Sequence, residues 1–304
     1  MIPEFVDHIV IVNDGSTDGT GNLATELAAA NSRIRVLRHE DNRGVGAAVK
    51  TGWQDLLDRG CQILVKLDGD GQMDPAEIGR LVQPIIDGWA DYAKGNRLSS
   101  RADVRGMPVV RLAGSISLTF LTKLSSGYWQ MMDPQNGFVA ITRDTIERMD
   151  MDDIDDRYFF ENSMLIALNT VMARSMDVHM ASSYGGENSN LRIWRAIFGF
   201  PPRLFRGFVR RMVRRYVVLD FSPIIPLFTI GSALLLMGSC WGGFHWWQSI
   251  ETGKIASTGT VMLAVLPMFV GLQMLLQALV LDIENGCALS VPEHVYLRER
   301  TRAR

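Results

Sequence analysis

Along the first ~190 residues, short apolar runs closed by Asp, Asn or Gly alternate with stretches of mixed apolar and polar positions. HIVIV (residues 8–12) reads as a buried strand and NDGSTDGT as the turn after it. Residues 23–30 read as a helix, with Ser16, Thr17 or Asp18 available as its N-cap. RIRVLRH (33–39) is the next strand, NRGVGAAVKTGWQDLLDRG (42–60) a loop and helix, and CQILVKLD (61–68) the third strand. Residues 75–88 are predicted helical and DYAKGNR (91–97) a short strand. Such alternation predicts an α/β domain over residues 1–190 with a mostly parallel sheet. Ligands of such sheets sit at the carboxyl ends of the strands, where Asp14, Asp68 and Asp70 fall.

The pattern then changes. Phe205, Phe208, Val209, Met212, Val213 and Tyr216 share one helical face, and Arg206, Arg210, Arg211, Arg214 and Arg215 take the other. That profile predicts a basic amphipathic helix at a membrane interface within residues 191–219, compatible with packing onto the domain. Residues 221–250 and 255–281 contain no Asp, Glu, Lys or Arg. Each run exceeds the ~20 residues that cross roughly 30 Å of hydrocarbon. Residues 220–283 are therefore expected to form a two-helix transmembrane hairpin, and 284–304 a tail.

Charge adds the orientation. The formal net charge of −2 gives no field that would attract nucleic acid. Arginines gather before the first span and after the second, while the connector carries Lys254 against Glu251. By the positive-inside tendency the catalytic domain and both termini are expected to be cytoplasmic. Cys61, Cys240 and Cys287 have no paired or metal-ligand spacing, which excludes a secreted disulfide framework. The start, MIPEFVDHIVIV, lacks the basic n-region of a signal peptide.

The chemistry concentrates in LDGDGQMDP (67–75). An isolated Asp-Gly-Asp is commonly only a turn. Here two carboxylates and the Gln72 amide offer hard oxygen donors within five residues, the incomplete shell that Mg²⁺ or Mn²⁺ completes with phosphates and water. NDGSTDGT, NRGVGAAVKTG and LDGDGQMDP, in this order, resemble family 2 glycosyltransferases of the GT-A fold, and most of all the polyprenyl-phosphate, dolichol-phosphate mannose synthase-like branch. The resemblance implies that Val12, Asp14, Asp68 and Gly69 contact the nucleotide and that Asp70 and Gln72 hold the metal. It also implies phosphate-binding roles for Arg97, Arg111 and Ser115, which suits the planar guanidinium fork. Arg101 and Arg105 lie in the same stretch. DPQNGFVAI (133–141) is similar to the family's element beside the sugar, with Asn136 in place of Ser, and reads equally well as a structural turn. The stretch from Tyr184 to Asn190 resembles its acceptor-side loop.

The family resemblance implies a donor that is a UDP- or GDP-linked sugar, a polyprenyl phosphate acceptor, inversion in one displacement, and a membrane setting; oligomeric state stays open. A lipid phosphate is already anionic at neutral pH, so it needs no base. A hydroxyl acceptor would need one, and Glu161 in RYFFENS is the candidate. A non-catalytic nucleotide-sugar-binding membrane protein is the third reading. The family's usual first strand, with its P-x-Y/F-N-E turn, is not found before HIVIV, so the chain reads as starting at or after it. RIWR (192–195) is not a Q-x-x-R-W element, which argues against a processive polysaccharide synthase.

Overall fold

The computed structural model describes residues 2–96, 109–134, 136–180, 193–219 and 221–302, with backbone alone at 109–115 and 193–198. Its elements in chain order are β1 (Ile9–Asp14), α1 (Thr20–Ala30), β2 (Ile34–His39), α2 (Val45–Asp58), β3 (Ile63–Lys66), α3 (Ile78–Ile86), β4 (Tyr92–Asn96) and α4 (Val109–Ser126). They continue with β5 (Val139–Thr142), α5 (Arg143–Arg148), α6 (Phe160–Thr170), β6 (Ser175–His179), α7 (Ile193–Val213), α8 (Ile224–Thr252), α9 (Thr258–Ala288) and α10 (Glu293–Arg302).

The strands form two sheets. β1 and β2 pair in parallel, and β3, β5, β4 and β6 lie side by side in that order. β5 runs antiparallel to both β3 and β4, whereas β4 and β6 are parallel. The sheet is thus mixed where strand–helix alternation predicted a mostly parallel one. Strand direction leaves no mark on a four-residue apolar run such as VAIT, so the insertion of β5 could not be read. β1 has no ladder to β3: the sheet is broken between the two strands whose carboxyl ends carry Asp14 and Asp68.

Side chains alternate faces along each strand and so build two cores. Leu64, Tyr92, Val139 and Ile141 pack with Trp53 of α2 and Phe160, Met164 and Leu168 of α6. Ala93, Ala140, Met176 and Val178 pack on the opposite face with Ile78, Leu81, Val82 and Ile85 of α3. Each large apolar side chain so buried contributes about 1.5–3 kcal/mol. α10 joins this second core through Tyr296. Ser175 and Val291 exchange backbone hydrogen bonds with the 289–291 segment and β6, at 2.7 and 2.8 Å. The Tyr296 hydroxyl donates to Asp87 (2.7 Å), and burial together with that carboxylate pushes its pKa up to about 12. The chain leaving α9 therefore ends on the same compact unit, residues 1–211 plus 287–304, that holds the sheets.

α7 covers α6: a Cβ at Gly207 would lie 2.5 Å from Ile166 Cδ1. Leu204 and Phe200 pack with Phe159. Its arginines are largely engaged by the domain. Arg203 pairs with Asp155 (3.3 Å) and Arg210 with Asp153 (2.5 Å). Arg211, fully buried, donates to the carbonyls of Ser125 (2.8 Å) and Leu124 (3.1 Å) at the end of α4. Exposed instead are Phe205, Val209 and Val213, one turn apart along the outer side. The apolar stripe is split, with Phe205, Val209 and Val213 exposed and Met212 and Tyr216 buried, and Arg210 and Arg211 of the basic side serve the domain.

Residues 212–286 form a second unit. α8 and α9 are 29 and 31 residues long, and only 17% of the most apolar window of each is buried. A soluble core helix would be buried on most sides, so both are candidate membrane spans. They approach closely at small residues: a Cβ on Gly231 would meet the Gly271 carbonyl at 3.0 Å, and one on Gly238 the Ala264 carbonyl at 2.6 Å.

Arg211→Ala would leave carbonyls at the end of α4 without a buried donor, at a cost of about 2–4 kcal/mol. Its melting temperature in detergent is expected to fall by several degrees, whereas Arg206→Ala, at an exposed position, should melt as the wild type.

Candidate active site

The break between β1 and β3 opens into a cavity of about 470 Å³. Val10 and Val12 line it from β1, Val65 and Lys66 from β3, and Val49, Gly52 and Trp53 from α2. Asp14, Asp68 and Gly69 stand at its polar end, with Asn42, Gly44, Arg157 and Tyr158. The four residues expected to meet the nucleotide, Val12, Asp14, Asp68 and Gly69, therefore lie on the walls of one cavity.

Asp14 is the most tightly held of them. Its Oδ1 accepts from the Arg43 backbone N–H (2.9 Å) and lies 2.7 Å from His39 Nδ1; its Oδ2 accepts from the Gly44 N–H (2.7 Å). Asn42 Nδ2 donates to the Asp14 carbonyl (3.2 Å). Burial works to raise the Asp14 pKa, but the His39 contact and the two backbone N–H groups outweigh it and hold it below the ordinary carboxylate value. Gly44 makes this loop possible. Its φ is +105°, and a Cβ there would sit 2.4 Å from the Asp156 carbonyl. NRGVG is thus a strap pressed between Asp14 and the segment that carries Arg157 and Tyr158.

Beyond β3 the chain makes two successive turns. Asp70 Oδ1 accepts from the Gln72 N–H (3.0 Å), Gly71 takes φ +74°, and Asp74 Oδ1 accepts from the Ala76 N–H (2.9 Å). Asp68 is held differently: Lys66 Nζ lies 2.8 Å from its Oδ1 and 3.6 Å from Glu161 Oε1. Lys66 also donates to the Gly137 carbonyl (3.3 Å). Glu161, in the first turn of α6, is thereby brought beside Asp68. Burial raises its pKa, Lys66 opposes that, and Asp68 adds to it.

Asp70 is exposed and its second carboxylate oxygen has no protein partner among the described residues. No group of three His, Cys, Asp or Glu side chains converges among the described residues. The donor set of Asp68, Asp70 and Gln72 nonetheless fits Mg²⁺ or Mn²⁺ in kind, since these ions keep water and substrate oxygens in their shell.

The other predicted site residues are placed unevenly. Arg97, Arg101, Arg105 and the 184–190 loop lie outside the described residues. Arg111 and Ser115 are on α4, described in backbone only. In DPQNG, Asn136 donates to the Gly95 carbonyl (2.6 Å) and accepts from the Phe138 N–H (3.0 Å), so its side chain serves the turn. Sequence reasoning did not single out Lys66, Arg157 or Tyr158. Lys66 did carry a signal, a charge in the otherwise apolar strand ILVK.

Residues 3–150 match Glycosyl transferase family 2. The chain belongs to that family, and its α/β domain is of the GT-A class. It is 33% identical over 153 residues to a UDP-N-acetylglucosamine–dolichyl-phosphate N-acetylglucosaminyltransferase of Methanococcus voltae, covering 46% of this chain and 61% of that protein. A polyprenol monophosphomannose synthase of Mycolicibacterium smegmatis is 36% identical over 156 residues, 51% of this chain and 58% of that one. An uncharacterized protein of Methanocaldococcus jannaschii is 31% identical over 193 residues, 64% of this chain and 76% of that one. The chain thus spans about three fifths of the length of the two relatives with named activities.

Asp14→Ala removes three polar contacts at once and should cost about 2–3 kcal/mol. Because the folded pKa of Asp14 is depressed, its contribution is complete above the unfolded value near ~4 and is lost as pH falls through the folded value. The gap between wild-type and Asp14→Ala melting temperatures, followed from pH 7 downward, should therefore close in acid. A gap that stayed constant to pH 2 would contradict the assignment.

Proposed function

We propose that this chain is a metal-dependent, inverting glycosyltransferase that moves a sugar from a UDP- or GDP-linked donor to polyprenyl phosphate at the cytoplasmic membrane face. The observation that carries the reading is the convergence of Asp14 and Asp68, from two strand ends of a family 2 domain, on one cavity. The printed activities of two relatives, both onto polyprenyl-type phosphates, support the acceptor class.

In this reading the nucleotide lies in the cavity against Val12, Asp14, Asp68 and Gly69. Asp70 and Gln72 hold Mg²⁺ or Mn²⁺, which when bound would offset charge on the departing diphosphate. Arg97, Arg111 and Ser115 bind donor and acceptor phosphates. The acceptor phosphate is ionised at neutral pH and attacks without a base. α8 and α9 anchor the domain, and the exposed strip of Phe205, Val209 and Val213 enters the membrane interface. Arginine placement supports the cytoplasmic side, and the return of α10 to the unit that holds the sheets supports both flanks of the spans sharing one face.

Glu161 favours a second reading. A carboxyl group held beside Asp68 with a raised pKa is what a hydroxyl acceptor would require.

The test is incubation of membranes containing the protein with labelled nucleotide sugars and polyprenyl phosphate, followed by identification of the glycolipid. Asp70→Ala should lower transfer at least about 100-fold; unchanged turnover would sink the metal assignment. Glu161→Gln should keep transfer to polyprenyl phosphate within about tenfold, because no proton has to be removed. A loss approaching 1,000-fold with donor binding intact would move the assignment to a hydroxyl acceptor. The same variant should melt at or above the wild-type temperature at pH 7. A raised folded pKa means that ionised Glu161 weakens the fold as pH rises through that value.

A further inference from the structure

We propose that Lys66 is a positioning residue that clamps Asp68 against the cavity wall, so that the two acids of the DGD turn are held in different ways. The inference rests on the proposed role of Asp68 toward the donor nucleotide and goes beyond it by naming what aims that carboxylate.

Lys66 ends β3 with only 4% of its side chain exposed. A buried ammonium is costly unless paired, and its partners are specific. Asp68 Oδ1 is at 2.8 Å, the Gly137 carbonyl at 3.3 Å, Glu161 Oε1 at 3.6 Å and the Phe160 ring centre at 6.0 Å. One cation therefore serves two carboxylates that repel each other, and it lies nearer to Asp68. Asp68 keeps a third of its side chain exposed on the cavity side.

The opposite wall is Gly137. A Cβ built there would fall 2.4 Å from both Asp68 Oδ2 and Lys66 Nζ, so the pair is seated against bare backbone. The other buried lysine of this sheet, Lys94, sits one strand beyond β5 in the same row, facing Asp177 and the Asp133 carbonyl, and so has partners of its own. Asp70, two residues after Asp68, has no cation partner among the described residues. Asp68 is thus fixed before any ligand arrives by a buried cation, while Asp70 is held only through the Gln72 N–H at Oδ1 and, among the described residues, keeps its second carboxylate oxygen open to one. A carboxylate fixed in advance binds without first having to be ordered.

The experiment uses the full chain in detergent and measures UDP and GDP affinity, each with Mn²⁺, by calorimetry beside melting temperature. Lys66→Met is expected to weaken binding of the preferred nucleotide at least tenfold, and Lys66→Arg to recover part of it. The Lys66→Met/Asp68→Asn double variant should bind no more weakly than Asp68→Asn alone, because both changes break one interaction. In Lys66→Met/Glu161→Gln, stability should return while binding stays weak. Gly137→Ala should weaken binding through the same pair, which keeps the test open if Lys66→Met does not fold. Wild-type affinity in Lys66→Met, or affinity regained together with stability in Lys66→Met/Glu161→Gln, would overturn the clamp and reduce Lys66 to a counter-charge for Glu161. Failure of the wild type to bind either nucleotide would overturn the donor reading itself, and the clamp with it.

Discussion

A carboxylate drawn out of water needs a partner, and the strands of the two sheets, with the loops at their ends, gather several such acids. Asp14 is met by His39 and two backbone N–H groups, Asp68 and Glu161 by Lys66, and Asp177 by Lys94. Except for Lys66 toward Asp68, two residues on, each partner comes from an element or loop different from that of the acid. Lys66 and Lys94 stand in one row across β3, β5 and β4, so the pairing of the strands also sets the pairing of the charges. Removal of one partner would leave an uncompensated charge in a poorly solvated place, which is costlier than loss of the contact itself. The local geometry of the site and the stability of the sheet edge are therefore the same problem.

That constraint explains the loops. The Arg43–Gly44 segment can donate two N–H groups to Asp14 only by lying flat against the Asp155–Asp156 backbone, and glycine allows the approach. The same acidic segment is tied on its other side to α7 through Asp153–Arg210 and Asp155–Arg203. Between these attachments it carries Arg157 and Tyr158 to the cavity. A contiguous set of contacts thus runs from the helix that precedes the spans to the polar end of the cavity.

Much of this was legible in the sequence. Short runs closed by Asp, Asn or Gly gave β1, β2, β3 and β4 within a few residues, and charge-free runs of membrane length gave α8 and α9. The strand-end positions of Asp14 and Asp68 followed from the same reading; the break between their strands did not. Partners were less legible. Periodicity tells which face a residue takes and not what meets it, so the inward arginines of α7 read as a solvent or lipid face. Arg211 is buried because it serves carbonyls of α4, far away in the sequence. β5 was invisible in direction for want of length, and α10 for want of any apolar pattern of its own; it is held by Tyr296 and by ion pairs with Asp87 and Arg80. Lys66 was the one charge within an apolar strand. Such a residue is bought by a partner elsewhere in the fold, and the sequence does not name it.

Family membership places the chain among glycosyltransferases, and the proposed chemistry needs a nucleotide diphosphate to bind where the strand ends converge. The most direct test is an experimental structure of the full chain with UDP or GDP and Mn²⁺. The nucleotide is expected in the cavity between Asp14 and Asp68, with the metal on Asp70 and Gln72 and the Lys66–Asp68 contact unchanged. A nucleotide bound away from this cavity, or a metal held without Asp70, would contradict the assignment.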